Sequence, residues 1–187
     1  MLLRQQLIQL GLTQLMPMQV QHRQVFIDLY SSNKVMRQVS EPLSVEVASA
    51  IFERAMASRN APRSHYYWII RNSSGAEAGL AAVIVREQNA VEVGVMLLPA
   101  FSRQGLALAA SAALFECAFK CWGMERVLAT HKPGNLPVPK ILDELFMECT
   151  KQTEELWHWQ LTHLQWQKLT GQQPYQFIDI KEELYGN

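Results

Sequence analysis

The stretch that most limits how this chain can fold is VEVGVMLLPAFSRQGLALAASAALFECAF, residues 91–119. Ala90 to Leu98 reads as a strand that Pro99 stops. Gln104 to Cys121 reads as an alanine-rich helix, with Leu106, Ala109, Ala110, Ala113, Leu114 and Ala118 along one side. Gly123 suits a left-handed cap at its end, and Arg126 to Thr130 reads as a short strand after it. The strand passes into the helix through a short loop holding Arg103, Gln104 and Gly105. A strand–helix–strand passage of this kind calls for a crossover onto a sheet.

The rest of the chain fits around that unit. Leu12, Gln14, Leu15, Met16 and Met18 suggest a first strand, ended by Pro17 or nearby. Gln19 to Tyr30 has apolar residues near helical spacing, and Ser31-Ser32-Asn33 breaks that helix. Ser44, preceded by Pro42, starts a second helix. Tyr66 to Ile70 reads as a strand, and Asn72 to Gly75 as a turn. Gly79 to Arg86 and Ala90 to Leu98 pair as a hairpin through Glu87-Gln88-Asn89. After the fifth strand comes a loop with Pro133, Gly134, Asn135, Pro137 and Pro139, then a short helix from Lys140 to Phe146. Glu155 to Gln165 alternates enough for one or two strands. Residues 1–10 and the polar stretch from Gln167 to Asn187, with its insert Tyr175 to Ile178, receive no assigned role. The expected class is α/β, a mixed sheet with an antiparallel middle, in one domain of 187 residues with a core from 12 to 166.

Charge narrows the function. Lys plus Arg and Asp plus Glu each number 17, so no net field draws the chain to nucleic acid or to an anionic membrane. No apolar run approaches the roughly 20 residues of a bilayer span, and the N-terminus is too rich in glutamine for a signal peptide. Three cysteines, an odd number, argue against a disulfide framework and for the cytoplasm. Cys117 and Cys121 lie four apart without a second ligand pair, so no metal is expected; both read as small buried hydrophobes.

The loop carries the chemistry. The first amides of a helix lack internal partners and sit at the positive end of its dipole. Gly105 permits a positive φ and close approach of a ligand, and Arg103 adds forked donors. Together they make an anion site suited to a pyrophosphate, although an ordinary turn has the same local pattern. Neither GxxxxGK[ST] nor GxGxxG is present, so a P-loop or Rossmann site has no support.

These residues resemble the acetyl-CoA-binding core of the GNAT superfamily, and most of all its RimJ/RimL branch of ribosomal-protein N-terminal acetyltransferases. Ser31-Ser32-Asn33-Lys34-Val35-Met36-Arg37 has the form of that branch's serine-rich break and "VMR" tripeptide. Val91 to Pro99 is similar to its fourth strand, "AEIGYWLLP". Ser102 to Ala107 matches its phosphate loop at Gly105 and Ala107, and Asn135 and Trp166 match an asparagine and a closing tryptophan. The resemblance implies a GNAT fold whose fourth and fifth strands splay apart. It implies that amides of Arg103, Gln104, Gly105, Leu106 and Ala107 hold the CoA pyrophosphate. Main-chain groups of Met96, Leu97 and Leu98 would pair with the pantetheine arm, and Asn135 would flank it.

The implied reaction is acetyl transfer from acetyl-CoA to a primary amine, on a protein N-terminus or a small molecule. The amine must lose a proton. Glu92, the one carboxylate in the fourth strand, is the first candidate base; the alternative is a solvated, outward-facing glutamate. His131 is the second candidate, against the alternative of a surface or hydrogen-bonded histidine. Glu154, Glu155 and His158 could line the acceptor cleft or form a solvated face. Trp157, Trp159 and Trp166 are expected to face the core or a subunit partner, a homodimer being one option.

The chain departs from the family pattern at three places. Ser102 stands for Gln or Arg. Val138 stands for the serine proposed as thiolate-side acid. Phe146-Met147 stands for Gly-Phe. The change at Val138 keeps a second reading open, a GNAT-fold module that binds CoA or a partner without turnover. A purely structural role has no motif of its own.

Overall fold

The computed structural model describes residues 7–37, 39–57, 65–170 and 179–181. Its centre is a sheet of nine strands in the order β7-β8-β6-β5-β4-β3-β2-β1-β9. The strands are β1 (Leu7–Leu10), β2 (Thr13–Pro17), β3 (His65–Arg71), β4 (Glu77–Arg86), β5 (Ala90–Leu97), β6 (Arg126–His131), β7 (Glu148–Gln152), β8 (Trp157–Thr162) and β9 (Asp179–Lys181). Every neighbouring pair is antiparallel except β5 and β6. The helices are α1 (Arg23–Tyr30), α2 (Asn33–Met36), α3 (Val45–Ala57), α4 (Leu106–Lys120), α5 (Pro137–Glu144) and α6 (His163–Thr170).

Side chains alternate across the strands and so feed two cores. On one face Trp68, Val91, Val93 and Val127 pack against Ala110 and Leu114 of α4. On the other, Tyr67, Ile69 and Leu80 pack against Phe26 of α1 and Phe52 of α3, with Met96 and Leu98 at the margin. The small residues of α4 are what let it lie close to the sheet. Cys117 is buried there, whereas Cys121 caps the helix and is exposed, contrary to its reading as a buried hydrophobe. As the C-cap it has already turned off the packed stripe.

The hairpin, the crossover and both long helices fall where the sequence puts them. Ser44 Oγ accepts from the Val47 amide at 3.3 Å, the expected N-cap bond of α3. Ser32 does more than break α1: its side chain caps the short α2. Four regions differ from expectation. Residues 7–10, given no role, form β1. The fifth-strand loop gives way to α5 at Pro137, three residues before Lys140, because a proline at the first helical position is already preset in φ. Residues 148–152 form β7, an exposed edge strand without apolar alternation. Residues 155–165 hold one strand, β8, which is one of the two options, but their end belongs to α6, which begins at His163. Of the stretch from Tyr175 to Ile178, all lies outside the described residues; β9 follows it and pairs with β1.

Two local features give testable consequences. Phe146 closes α5 at φ 59°, with its amide on the Asp143 carbonyl and the Met147 amide on the Leu142 carbonyl. This Schellman arrangement favours glycine at the left-handed position. Phe146→Gly should therefore stabilise the fold by about 1 kcal/mol, raising Tm by about 2–4 °C in calorimetry.

His22 is fully buried, and its Nδ1 accepts from the Gln19 amide at 2.9 Å. That bond requires the neutral ring with its proton on Nε2, which faces Glu77 Oε1 at 3.5 Å. Burial lowers the His22 pKa; Glu77 opposes that shift and Arg71 adds to it. The unfolded chain thus binds this proton more readily than the folded one, so stability falls as pH drops below about 6.5. Between pH 8 and 5.5, Tm should decline, and His22→Gln should decline less steeply.

Candidate functional site

The expected fourth and fifth strands are β5 and β6. They pair in parallel only where Ala90, Val91 and Glu92 meet Arg126, Val127 and Leu128. Beyond those residues β5 continues to Leu97 and β6 to His131 without bridging. A wedge opens between them at the carboxyl ends of two parallel strands, a recurrent place for ligands in such sheets.

Main-chain direction along β5 follows from one bond. The Leu98 amide donates to the Ala78 carbonyl at 2.9 Å, and the Leu98 carbonyl accepts from Phe101 at 2.9 Å. Alternate residues send their amide and carbonyl to opposite edges. Met96, like Leu98, therefore turns toward β4, where its carbonyl abuts Gly79. Leu97 is the one of the three expected pantetheine partners on the open edge, and Val95 shares that edge with it.

The loop after β5 ends in a left-handed Gly105 at φ 75°, the N-cap of the 15-residue α4, with no side chain capping it. Arg103 also has a positive φ, 63°, uncommon for a residue with a side chain. Gln104 folds back, its Nε2 donating to the Ala100 carbonyl at 3.2 Å. The amides of Arg103 through Ala107 donate to no acceptor among the described residues. Arg103, Gln104 and Gly105 are exposed, and a Cβ built on Gly105 meets nothing within 4 Å. The helix thus starts with free amides, a positive dipole end and open space before it. Asn135 lies half-buried in the turn leading to α5, its amide on the Lys132 carbonyl at 2.9 Å, at the same end of the sheet.

The two catalytic candidates lie on opposite faces. Glu92 is the last position of β5 that pairs with β6, and it points away from α4. Its Oε2 accepts from Arg86 Nε at 2.9 Å and Nη2 at 2.6 Å, and its Oε1 accepts from Thr130 Oγ1 at 2.8 Å. With its side chain 19 % exposed, it is a held carboxylate rather than a solvated one. His131 shares the α4 face with Val127 and Ala129. It is 4 % exposed, its ring lying 5.5 Å from Trp157 and 6.0 Å from Trp159 between centroids. His131 Nδ1 is 2.8 Å from the Lys132 carbonyl, which places the proton on Nδ1 and leaves Nε2 as a buried acceptor without a partner among the described residues. Val138, half-buried against the same core, offers no polar atom there.

Sequence reasoning missed Arg86, Thr130 and Val95. The hairpin alternation carries the signal for Arg86, since Arg86 pairs with Ala90 and Ile84 with Glu92, all on one face. Thr130 reaches Glu92 only through the parallel register, which no local pattern shows.

A family model described as an acetyltransferase (GNAT) domain matches residues 13–148. No curated protein matches the sequence. Among solved structures, a GNAT-family acetyltransferase from Bacillus anthracis superposes with TM-score 0.72 at 15 % identity, covering 84 % of this chain and 99 % of that one. The spermidine N-acetyltransferase of Vibrio cholerae, in complex with CoA and spermine, gives 0.74 at 10 % identity, covering 84 % and 99 %. Mycobacterium smegmatis RimJ, in complex with CoA-disulfide, gives 0.69 at 14 % identity, covering 83 % and 85 %. At such identities these structures speak for the fold.

Proposed function

We propose that this chain, which belongs to the GNAT acetyltransferase family by its match over residues 13–148, is an N-acetyltransferase that takes acetyl-CoA in the β5–β6 wedge and acetylates a primary amine on a protein N-terminus or a small molecule. The observation that carries this reading is the set of amides from Arg103 to Ala107 that have no partner among the described residues, at the start of α4 and beside an edge of β5 left unpaired by them. Acetyl-CoA, when bound, supplies a thioester carbon open to attack by nitrogen.

In this reading the amides of Arg103, Gln104, Gly105, Leu106 and Ala107 hold the pyrophosphate, with the Arg103 guanidinium adding charge. Val95 and Leu97 offer a free main-chain edge to the pantetheine amides, a form of strand addition. Asn135 flanks the same arm. Glu92, on the face away from α4, takes the amine proton, directly or through a water. Arg86 and Thr130 hold its carboxylate in place, so they are positioning residues. His131 is on the other face and cannot serve the same amine; its bare Nε2 is suited to the sulfur side, where Val138 has nothing to give. The resemblance to the RimJ/RimL branch favours a protein N-terminus as acceptor. The cysteines, all three free, are in keeping with the cytoplasm.

Two measurements test this reading. CoA should raise Tm by several degrees at concentrations well above its Kd. Thiol release from acetyl-CoA should then appear with at least one amine in a panel of peptides and small amines. A CoA shift without release on any amine would instead support a binding module.

A further inference from the structure

On the face that carries Glu92, the β6 row Arg126, Leu128, Thr130 leads up to the wedge: Arg126 and Leu128 lie where β6 is paired with β5 and Thr130 lies beyond the last bridge, while α4 packs on the opposite face. Arg126 is half-buried there. Its Nη1 donates to Gln160 Oε1 at 3.4 Å and its Nη2 to Gln88 Oε1 at 2.8 Å. Both partners are neutral amides, which fix the fork without cancelling its charge. Among the described residues no carboxylate forms an ion pair with it; on this face Glu92 is taken by Arg86, and Glu148, across from Gln160, is exposed. Gln88 supplies its oxygen from a left-handed position, φ 58°, in the β4–β5 turn. A half-buried guanidinium held by amides and lacking a counterion is poised for a carboxylate, because two parallel N–H···O bonds then replace lost hydration.

Position sets the reach. Arg126 is opposite Ala90, one strand over and two residues back from Glu92. With strands about 4.8 Å apart and about 3.3 Å of rise per residue, their Cα atoms are roughly 8 Å apart. A short peptide with its terminal amine at Glu92 can therefore bring the side chain of its second residue toward Arg126.

We propose that Arg126 is a specificity-determining residue that binds an anionic group of the acceptor, so the preferred acceptor is an amine that carries a carboxylate on its next residue. This rests on the reading of Glu92 as the group that receives the amine. On the same face Arg86 is neutralised by Glu92, which leaves the cations Arg126 and Lys151, the latter opposite His158 in the β7–β8 pair, against the exposed Glu148 opposite Gln160. The uncompensated Arg126 disfavours a second ammonium group of a polyamine at its own position.

The test uses the full chain saturated with CoA and three tetrapeptides that differ only at the second residue: glutamate, glutamine or lysine. Affinity is read by calorimetry and turnover by thiol release. The glutamate peptide should bind at least tenfold more tightly than the glutamine peptide, and the lysine peptide and spermidine more weakly than either. Arg126→Gln should remove the glutamate preference while leaving glutamine-peptide affinity and the CoA shift in Tm unchanged. Arg126→Lys, which keeps charge without the fork, should retain only part of it. Competition by free glutamate would mark a small amino acid as the source of the chemistry, and its absence a peptide. Equal affinity for glutamate and glutamine peptides, or a loss in Arg126→Gln shared by both, would overturn the proposal. Because affinity is read apart from turnover, a protein that binds the glutamate peptide without thiol release would sustain the Arg126 site while sinking the acetyltransferase reading.

Discussion

Gly105→Val should give a folded protein whose Tm no longer responds to CoA. Gly105 has φ 75°, where a side-chain-bearing residue costs roughly 1–2 kcal/mol and a β-branched one is worst placed. Nothing in the protein stands within 4 Å of a Cβ at this position, so the substitution causes no internal clash. The harm falls on the backbone and on whatever approaches it. Turning the loop out of its left-handed conformation would re-aim the amides on either side. Losing two hydrogen bonds to a charged phosphate, at about 1.5 kcal/mol each, weakens binding about a hundredfold. Gly105→Ala should have a smaller effect of the same sign. A wild-type CoA response in Gly105→Val, read by thermal shift, would contradict the placement of the diphosphate.

Glu92→Gln should lower kcat/KM by about 10²–10⁴-fold, the usual range for loss of a general base, with the CoA shift in Tm unchanged. The glutamine is nearly isosteric: its oxygen can still accept from Arg86 while its amide donates to Thr130 Oγ1, so geometry is largely kept while basicity is lost. This separates chemistry from folding, since Glu92 also ties β4 to β6 through Arg86 and Thr130. If kcat/KM stays within threefold of wild type, Glu92 is a brace between strands and the amine loses its proton elsewhere.

Much of this arrangement is legible in the sequence because its signals are local. Ala90 to Leu98, Pro99, Gly105 and the alanines of α4 lie within one continuous stretch, and each has a local physical consequence. The handover from strand to helix could be read without knowing the sheet. By contrast, β7 reads ECTKQ, an exposed edge strand held by its partner's backbone, and composition does not reveal it. α6 was hidden behind the alternation of Trp157, Trp159 and Leu161, yet a signal was there. Thr162 and Gln165 form a reciprocal cap, with the Thr162 amide donating to Gln165 Oε1 at 2.8 Å and the Gln165 amide to Thr162 Oγ1 at 3.2 Å.

The candidate site was legible in proportion to how local it is. The loop residues 103–107 could be proposed because they are contiguous. That Leu98 is committed to Ala78, leaving Leu97 and Val95 on the open edge, depends on strand register. The separation of Glu92 and His131 onto opposite faces depends on how β5 and β6 pair. Parallel register is set by the crossover helix and the packing beneath it, so neither strand's own sequence fixes it.

Titration of ¹⁵N-labelled protein with CoA tests the central claim most directly. The amides of Gly105, Leu106 and Ala107 should show the largest shifts, with Val95 and Leu97 moving in step. Shifts gathered on other segments while residues 103–107 stay still would contradict it.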